Sequence, residues 1–170
     1  MRPATALAAF ACLGADARTF SPVDQLAGRY GRHFQNALVD GTRYWSDDVV
    51  EIVPVDRGHA YARVHLEHAN GHQCALSGIS TLEGPALIYR EPTEEPRGGQ
   101  CKLRILRNGA ALRLDDGGGT CSAYCGARGT PSGVTLPWRS KRRITYLTRL
   151  KASREYAEAM AALRNIKDEK

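Results

Sequence analysis

Between Gly28 and about Leu150, apolar and polar residues alternate with period two, and turn-forming residues interrupt the alternation repeatedly. An α-helix gathers its apolar face every three to four residues, so this pattern predicts antiparallel strands. Two Asn-Gly dipeptides mark hairpins, because both central residues of a type I′ turn need positive φ. Around Asn108-Gly109 such a turn pairs Arg107 with Ala110, Ile105 with Leu112 and Leu103 with Leu114, all on one face. Lys102, Arg104, Leu106, Ala111, Arg113 and Asp115 then take the opposite face, and Cys101 points inward beside Leu103. The same construction at Asn70-Gly71 pairs Ala69 with His72, Glu67 with Cys74 and His65 with Leu76.

Asp56-Arg57-Gly58-His59 reads as a third turn, joining Val49–Val55 to Ala60–His68, with Pro54 predicting an edge or a bulge. Ala86–Arg90 adds a strand, while Arg97-Gly98-Gly99 and Asp116 to Gly119 read as loops. Arg142 to Leu150 supplies a last strand with Ile144, Tyr146, Thr148 and Leu150 on one side. Then the period changes. Ser153 caps a predicted helix running to about Asn165, whose stripe of Tyr156, Met160 and Leu163 docks on the sheet. About eight short strands followed by one helix predict a mainly β domain, an antiparallel up-and-down β-barrel with one C-terminal helix. A β-sandwich is the alternative. Residues 18–151 form the barrel and 152–170 the helix packed on it, with no internal repeat or linker.

The chain begins with Met1-Arg2-Pro3, continues through the apolar stretch Ala4 to Leu13 and reaches Ala15-Asp16-Ala17. That order of a basic start, an apolar run and a small-x-small site predicts a signal peptide over residues 1–17 and a periplasmic or secreted protein. Ala9-Phe10-Ala11-Cys12 offers a second reading, lipidation at Cys12, against which the bulk of Phe10 weighs. No other apolar run approaches the ~20 residues of a spanning helix, so the mature protein is not expected to span a membrane.

Beyond the leader four cysteines remain, an even number in an oxidising compartment, which predicts disulfides. The expected pairing joins Cys74 to Cys101 between two hairpins and Cys121 to Cys125 around Ser122-Ala123-Tyr124. A zinc site of all four is the competing reading, but structural zinc favours paired knuckles, and Cys74 and Cys101 are isolated. His65, Glu67 and His72 come out on one hairpin face, a two-His-one-carboxylate set with which a small metal-dependent hydrolase could work. The plain alternative is a solvated hairpin tip. No G-x-S-x-G elbow, Walker loop or H-E-x-x-H occurs. Asp47-Asp48 and Glu94-Glu95 diverge in extended chain, and Asp115 to Gly119 lacks the ligand spacing of a calcium loop. The sequence therefore reads as non-enzymatic and without a cofactor.

Net charge is +6 and unevenly placed: residues 1–137 hold 14 basic and 14 acidic side chains, residues 138–170 hold 10 and 4. Within the second group, Arg139, Lys141, Arg142 and Arg143 follow Trp138 with no acid among them. They are the expected anion-binding residues, for lipopolysaccharide, anionic headgroups or acidic glycan in a bacterial envelope. Nucleic acid is not expected for an exported chain. A solvated edge that discourages strand-to-strand aggregation is the alternative.

Leu26-Ala27-Gly28-Arg29-Tyr30 ahead of a cysteine-bearing barrel resembles small exported barrels of the calycin and periplasmic lysozyme-inhibitor type. Cys121-Ser122-Ala123-Tyr124-Cys125-Gly126-Ala127-Arg128-Gly129 is similar to a C-x-x-x-C-G-A-R-G block of exported bacterial proteins. The resemblance covers residues 26–130 and implies an envelope binding protein, with lysozyme inhibition as its specific form. In those inhibitors a Ser-Gly-x-x-Tyr segment contributes to the inhibitory loop; here Ser77-Gly78-Ile79-Ser80 is followed by Thr81. A structural envelope protein that contacts anionic surfaces through its basic C-terminal region is the remaining expectation.

Overall fold

The structure, a computed structural model, describes residues 21–92 and 100–168. The leader with Cys12, and the Glu94-Glu95 and Arg97-Gly98-Gly99 segments, lie outside the described residues. Eight strands form one sheet: β1 (Gly28–Ala37), β2 (Arg43–Pro54), β3 (His59–Glu67), β4 (Gln73–Glu83), β5 (Ala86–Arg90), β6 (Lys102–Asn108), β7 (Ala111–Asp115) and β8 (Thr135–Pro137). Each pairs antiparallel with the next in chain order, the up-and-down arrangement that the alternation predicts.

The sheet curls until its ends meet, but no ladder joins β8 to β1. Closure is made by the segment after β8, where Trp138–Ser140 forms a 3-10 turn. Arg29 and Arg142 exchange backbone hydrogen bonds of 2.8 Å each, and the Gly31 amide donates to Ser140 Oγ at 3.1 Å. Gly28, at φ 140°, lies directly under this closure, with the Arg142 carbonyl 3.0 Å from where a Cβ would stand. A short helix, α1 (Pro22–Leu26), begins in a capping box between Ser21 and Asp24 and buries Val23 and Leu26 against the core.

Side chains fill the barrel. Tyr30, Val50, Ile52, Val64, Leu66, Leu87, Leu103, Ile105, Leu112, Leu114 and Leu136 form one buried cluster, and each large apolar side chain so buried contributes ~1.5–3 kcal/mol. On β4, Gly78 faces inward, where a Cβ would overlap the Tyr89 ring; the missing side chain is what lets that ring cross the strand. A second, smaller cluster lies outside the wall. Val53, Tyr61 and Ile79 on the outer faces of β2–β4 are covered by Ile144, Tyr146, Leu150, Tyr156 and Ala159.

Those covering residues come from a C-terminal segment that differs from its predicted form. Arg142 to Leu150 is not a strand: a turn leads into α2 (Leu147–Lys151), followed by α3 (Arg154–Asp168). The eighth strand position is already taken by Thr135–Pro137, paired with Ala111–Arg113. Tyr146 and Leu150, four apart, share a face in a strand and in a helix alike, and the helical spacing wins, with the Leu150 amide donating to the Tyr146 carbonyl at 3.0 Å. Ser153 caps α3 as expected, its hydroxyl accepting from the Tyr156 amide at 3.2 Å. Tyr156 meets Tyr61 edge-on at 4.9 Å and Leu163 is buried, as the predicted stripe requires.

Two hairpin registers move. The Asn108-Gly109 hairpin pairs Asn108 with Ala111, Arg107 with Leu112 and Ile105 with Leu114, so the turn is Gly109-Ala110. That slip of two keeps every side chain on its expected face, and Leu103, Ile105, Leu112 and Leu114 point inward. At Asn70-Gly71 the slip is one: a 3-10 turn spans Ala69–Gly71, pairing Leu66 with Cys74 and Glu67 with Gln73. Pro54 ends β2 beyond its last rung with β1, Gly28–Ile52, where no neighbour on that side needs its missing N–H.

The disulfides join the expected cysteines in a different pattern, Cys74–Cys125 and Cys101–Cys121. Cys74 sits near the start of β4 and Cys101 just before β6, and β5 lies between those strands. Both instead reach the long β7–β8 loop, in which Ser122–Tyr124 makes a 3-10 turn between the two half-cystines. Further contacts hold that loop. Buried Asp116 accepts from the Gly119 amide at 3.0 Å and the Cys121 amide at 3.1 Å. The Tyr124 hydroxyl donates to buried Glu91, and burial together with that hydrogen bond pushes its pKa well above the ordinary phenol value.

Candidate anion-binding site at the barrel seam

Trp138 stands where the chain leaves β8 to close the barrel, and its position follows from three contacts. Its backbone amide donates to the Ala110 carbonyl at 2.8 Å, its ring packs on Tyr30 at 5.4 Å between centroids, and its edge joins the main core. The Arg107 guanidinium lies over the indole at 4.5 Å and the Lys141 ammonium at 5.2 Å. Cations favour an indole face electrostatically, by ~0.5–1 kcal/mol when exposed and more when desolvated. Two cations on one ring nonetheless repel each other. Burial first, and the Arg107 charge second, lower the Lys141 pKa.

A cleft of about 690 Å³ opens beside this stack, lined by Arg32, Arg107, Arg139, Trp138, Pro137 and Thr135 among others. Arg32 is an inward-facing residue of β1, anchored on the buried carboxylate of Asp48 by Nε at 2.9 Å and Nη2 at 2.5 Å. Its guanidinium also lies 4.7 Å from the Phe34 ring centroid. Arg107 is fixed a second time, its Nε donating to the Gly109 carbonyl at 3.1 Å. Arg139 is exposed and has no carboxylate partner among the described residues.

The four expected anion-binding residues are divided by the closing segment. Arg139 enters the cleft just described, whereas Lys141, Arg142 and Arg143 line a second cleft of about 470 Å³ with Ile52, Val53, Ile144 and Leu147. Lys141 Nζ also donates to the Gln25 carbonyl at 2.6 Å, and Arg142 Nη1 to the Arg139 and Lys141 carbonyls at 2.7 and 2.8 Å. Among the described residues the arginine ion pairs are Arg32–Asp48, Arg63–Glu51, Arg90–Glu83 and Arg154–Glu158. Arg107, Arg139, Lys141, Arg142 and Arg143 have no such partner among them.

Arg32, Arg107 and Asp48 were not expected at a site, although the sequence carries a signal for each. Arg107 continues the inward series Leu103, Ile105, and Arg32 stands between Tyr30 and Phe34 in the same alternation. A charge buried on an apolar face needs a partner, which Arg32 has in Asp48, whereas exposed Arg107 keeps its charge at the rim.

The expected metal set separates. The one-residue slip turns His65 and Glu67 to the outer face, 3.6 Å apart, and sets His72 opposite His68, whose amide donates to the His72 carbonyl at 2.7 Å. His68 Nε2 lies 3.2 Å from Cys74 Sγ, and burial lowers its pKa. Among the described residues no group of three His, Cys, Asp or Glu side chains is placed to hold a metal ion. Ser77-Gly78-Ile79-Ser80 lies within β4, its first two residues paired with Arg63 and Ala62 of β3 rather than exposed in a loop.

A groove of about 710 Å³, lined by Arg63, His65, Ser77 and Tyr146 among others, holds another of the buried carboxylates. There Glu51, fully buried, pairs with Arg63 at 2.5 Å and accepts from the Tyr146 hydroxyl, fastening the C-terminal segment to the barrel. Among the described residues no helix is long and apolar enough to cross a membrane. No protein family, curated protein or solved structure matches the chain.

Proposed function

We propose that this protein is an exported, non-enzymatic binding module that holds an anionic component of the bacterial envelope along the segment Trp138–Arg143. One observation carries the reading: Arg107, Arg139, Lys141, Arg142 and Arg143 gather around the barrel seam with no carboxylate partner among the described residues. Like charges held together raise the energy of the free protein, and an anionic ligand relieves it. Two disulfides fit an oxidising compartment, and the side chains that fill the barrel favour recognition at the wall over recognition in the lumen. A basic partner such as lysozyme would meet like charge at this seam, so inhibition of it would have to use another face.

The test is retention of the mature protein on vesicles containing phosphatidylglycerol. Retention at low salt should fall steeply as ionic strength approaches the physiological range, where screening acts over ~8 Å. Replacing Arg139, Lys141, Arg142 and Arg143 with glutamine should abolish it without loss of the far-ultraviolet β signature. Equal retention of parent and variant, or no retention of the parent at low salt, overturns the proposal.

A further inference from the structure

We infer that Arg32, Arg107 and Arg139 form a binding site for a phosphoryl group, specifically a phosphomonoester whose carbon skeleton lies against Pro137 and Ala110. The inference rests on the anion-binding reading of the seam and names its ligand chemistry. All three guanidiniums line one cleft. Guanidinium presents a planar fork of donors that matches the oxygen geometry of phosphate, which the point charge of lysine does not. Charge matches as well: Asp48 neutralises Arg32, leaving Arg107 and Arg139 as an excess of two, and a phosphomonoester carries about −1.5 to −2 at pH 7.

The cleft is also organised before any ligand arrives. Arg32 is held by Asp48 and Phe34, and Arg107 by Trp138 and the Gly109 carbonyl, so two of the three long side chains have already lost much of their rotamer freedom. Ordering such side chains at the moment of binding would cost ~0.5–1.5 kcal/mol each. The rest of the lining includes Ala110, Ala111, Pro137 and Trp138, apolar residues that give an ester group a surface that inorganic phosphate does not use.

Calorimetric titration separates the sources of the phosphoryl group with three probes: inorganic phosphate, glycerol phosphate, and phosphatidic acid in phosphatidylcholine vesicles. Glycerate, which has the same skeleton with a carboxylate, is the control. Glycerol phosphate should bind at least tenfold more tightly than glycerate and more tightly than inorganic phosphate. Arg107→Gln and Arg139→Gln should each weaken it by about tenfold or more, as expected for loss of a charge-assisted hydrogen bond. Arg164→Gln, on the exposed side of α3, should not. Arg139 has no side-chain hydrogen bond or ion pair to lose among the described residues, so its variant keeps the fold if Arg107→Gln does not. Phosphatidic acid vesicles binding where glycerol phosphate does not would assign the site to a lipid headgroup and overturn the soluble ester as ligand. Glycerol phosphate binding no better than glycerate, or unaffected by both arginine variants, overturns the site. If phosphatidylglycerol vesicles are still retained through the segment Trp138–Arg143, the proposed function survives that result. If glycerol phosphate binds through Arg107 while vesicles are not retained, the site stands and the envelope reading falls.

Discussion

Both disulfides tether the β7–β8 loop, and removing them one at a time tests that arrangement. In the chain-entropy account a cross-link stabilises by shortening the free contour of the unfolded chain, and the two separations here are 51 residues for Cys74–Cys125 and 20 for Cys101–Cys121. Taken alone they are worth about 4 and about 3 kcal/mol. The shorter bridge is nested inside the longer, so with both present it short-circuits 20 of the 51 residues and leaves an outer loop of roughly 30; each single-bridge variant keeps the other bridge, so the two losses differ by only about 1 kcal/mol, the longer bridge costing the more. Cys74→Ala with Cys125→Ala, and Cys101→Ala with Cys121→Ala, should therefore lower the melting temperature by similar amounts, on the order of 10 °C each for a domain of this size. Peptide mapping decides the pairing. Chymotryptic cleavage after Tyr124 separates Cys121 from Cys125, and under non-reducing conditions the two fragments should leave attached to different partners, one bearing Cys101 and the other Cys74. Fragments that stay joined to each other through Cys121 and Cys125 refute the arrangement. So does a bridge variant that melts with the parent.

Tyr146→Phe removes the hydroxyl that donates to fully buried Glu51 and should destabilise by about 1–3 kcal/mol in urea unfolding, the cost of an unsatisfied buried acceptor; a variant as stable as the parent shows that the C-terminal segment is not fastened there. Burial raises the pKa of Tyr30, Tyr61, Tyr89 and Tyr124 above the usual phenol value. Each is an acid whose neutral form the fold favours, so its stabilisation is complete below pH ~10 and is lost as pH climbs through the raised folded value. Spectroscopic titration about one unit above pH ~10, where exposed phenols are largely ionised, should then count fewer phenolates in native than in denatured protein, and equal counts would contradict the burial of those rings.

The barrel was legible because its strands repeat at period two and its inward residues are apolar, so even the slipped Asn108-Gly109 hairpin keeps Leu103, Ile105, Leu112 and Leu114 inside. Face is robust to a slip of two and destroyed by a slip of one, which is why the same reasoning misplaced His72 relative to His65 and Glu67. The pairing of the cysteines was hidden because it depends on where an irregular loop folds back, and no periodicity describes Gly117 to Gly133. The basic segment announced its charge, yet not its division between two clefts, because Trp138–Ser140 turns rather than extends. Arg32 and Arg107 stayed unread although each interrupts an apolar face. Their meaning depends on which strands meet at the seam, a long-range fact.

Closure of the wall sets an order of events on the growing chain. β1 emerges before the other strands, but the Ser140 hydroxyl that receives its Gly31 amide lies 109 residues later. Synthesis proceeds from the N-terminus, so seven strands exist as an open, curling ribbon before the eighth and its clasp arrive. All four bridging cysteines precede Trp138, so both bridges lie wholly within the part of the chain ahead of the clasp. A chain truncated after residue 137 would then be a cross-linked ribbon that cannot button, its first strand left with a bare edge.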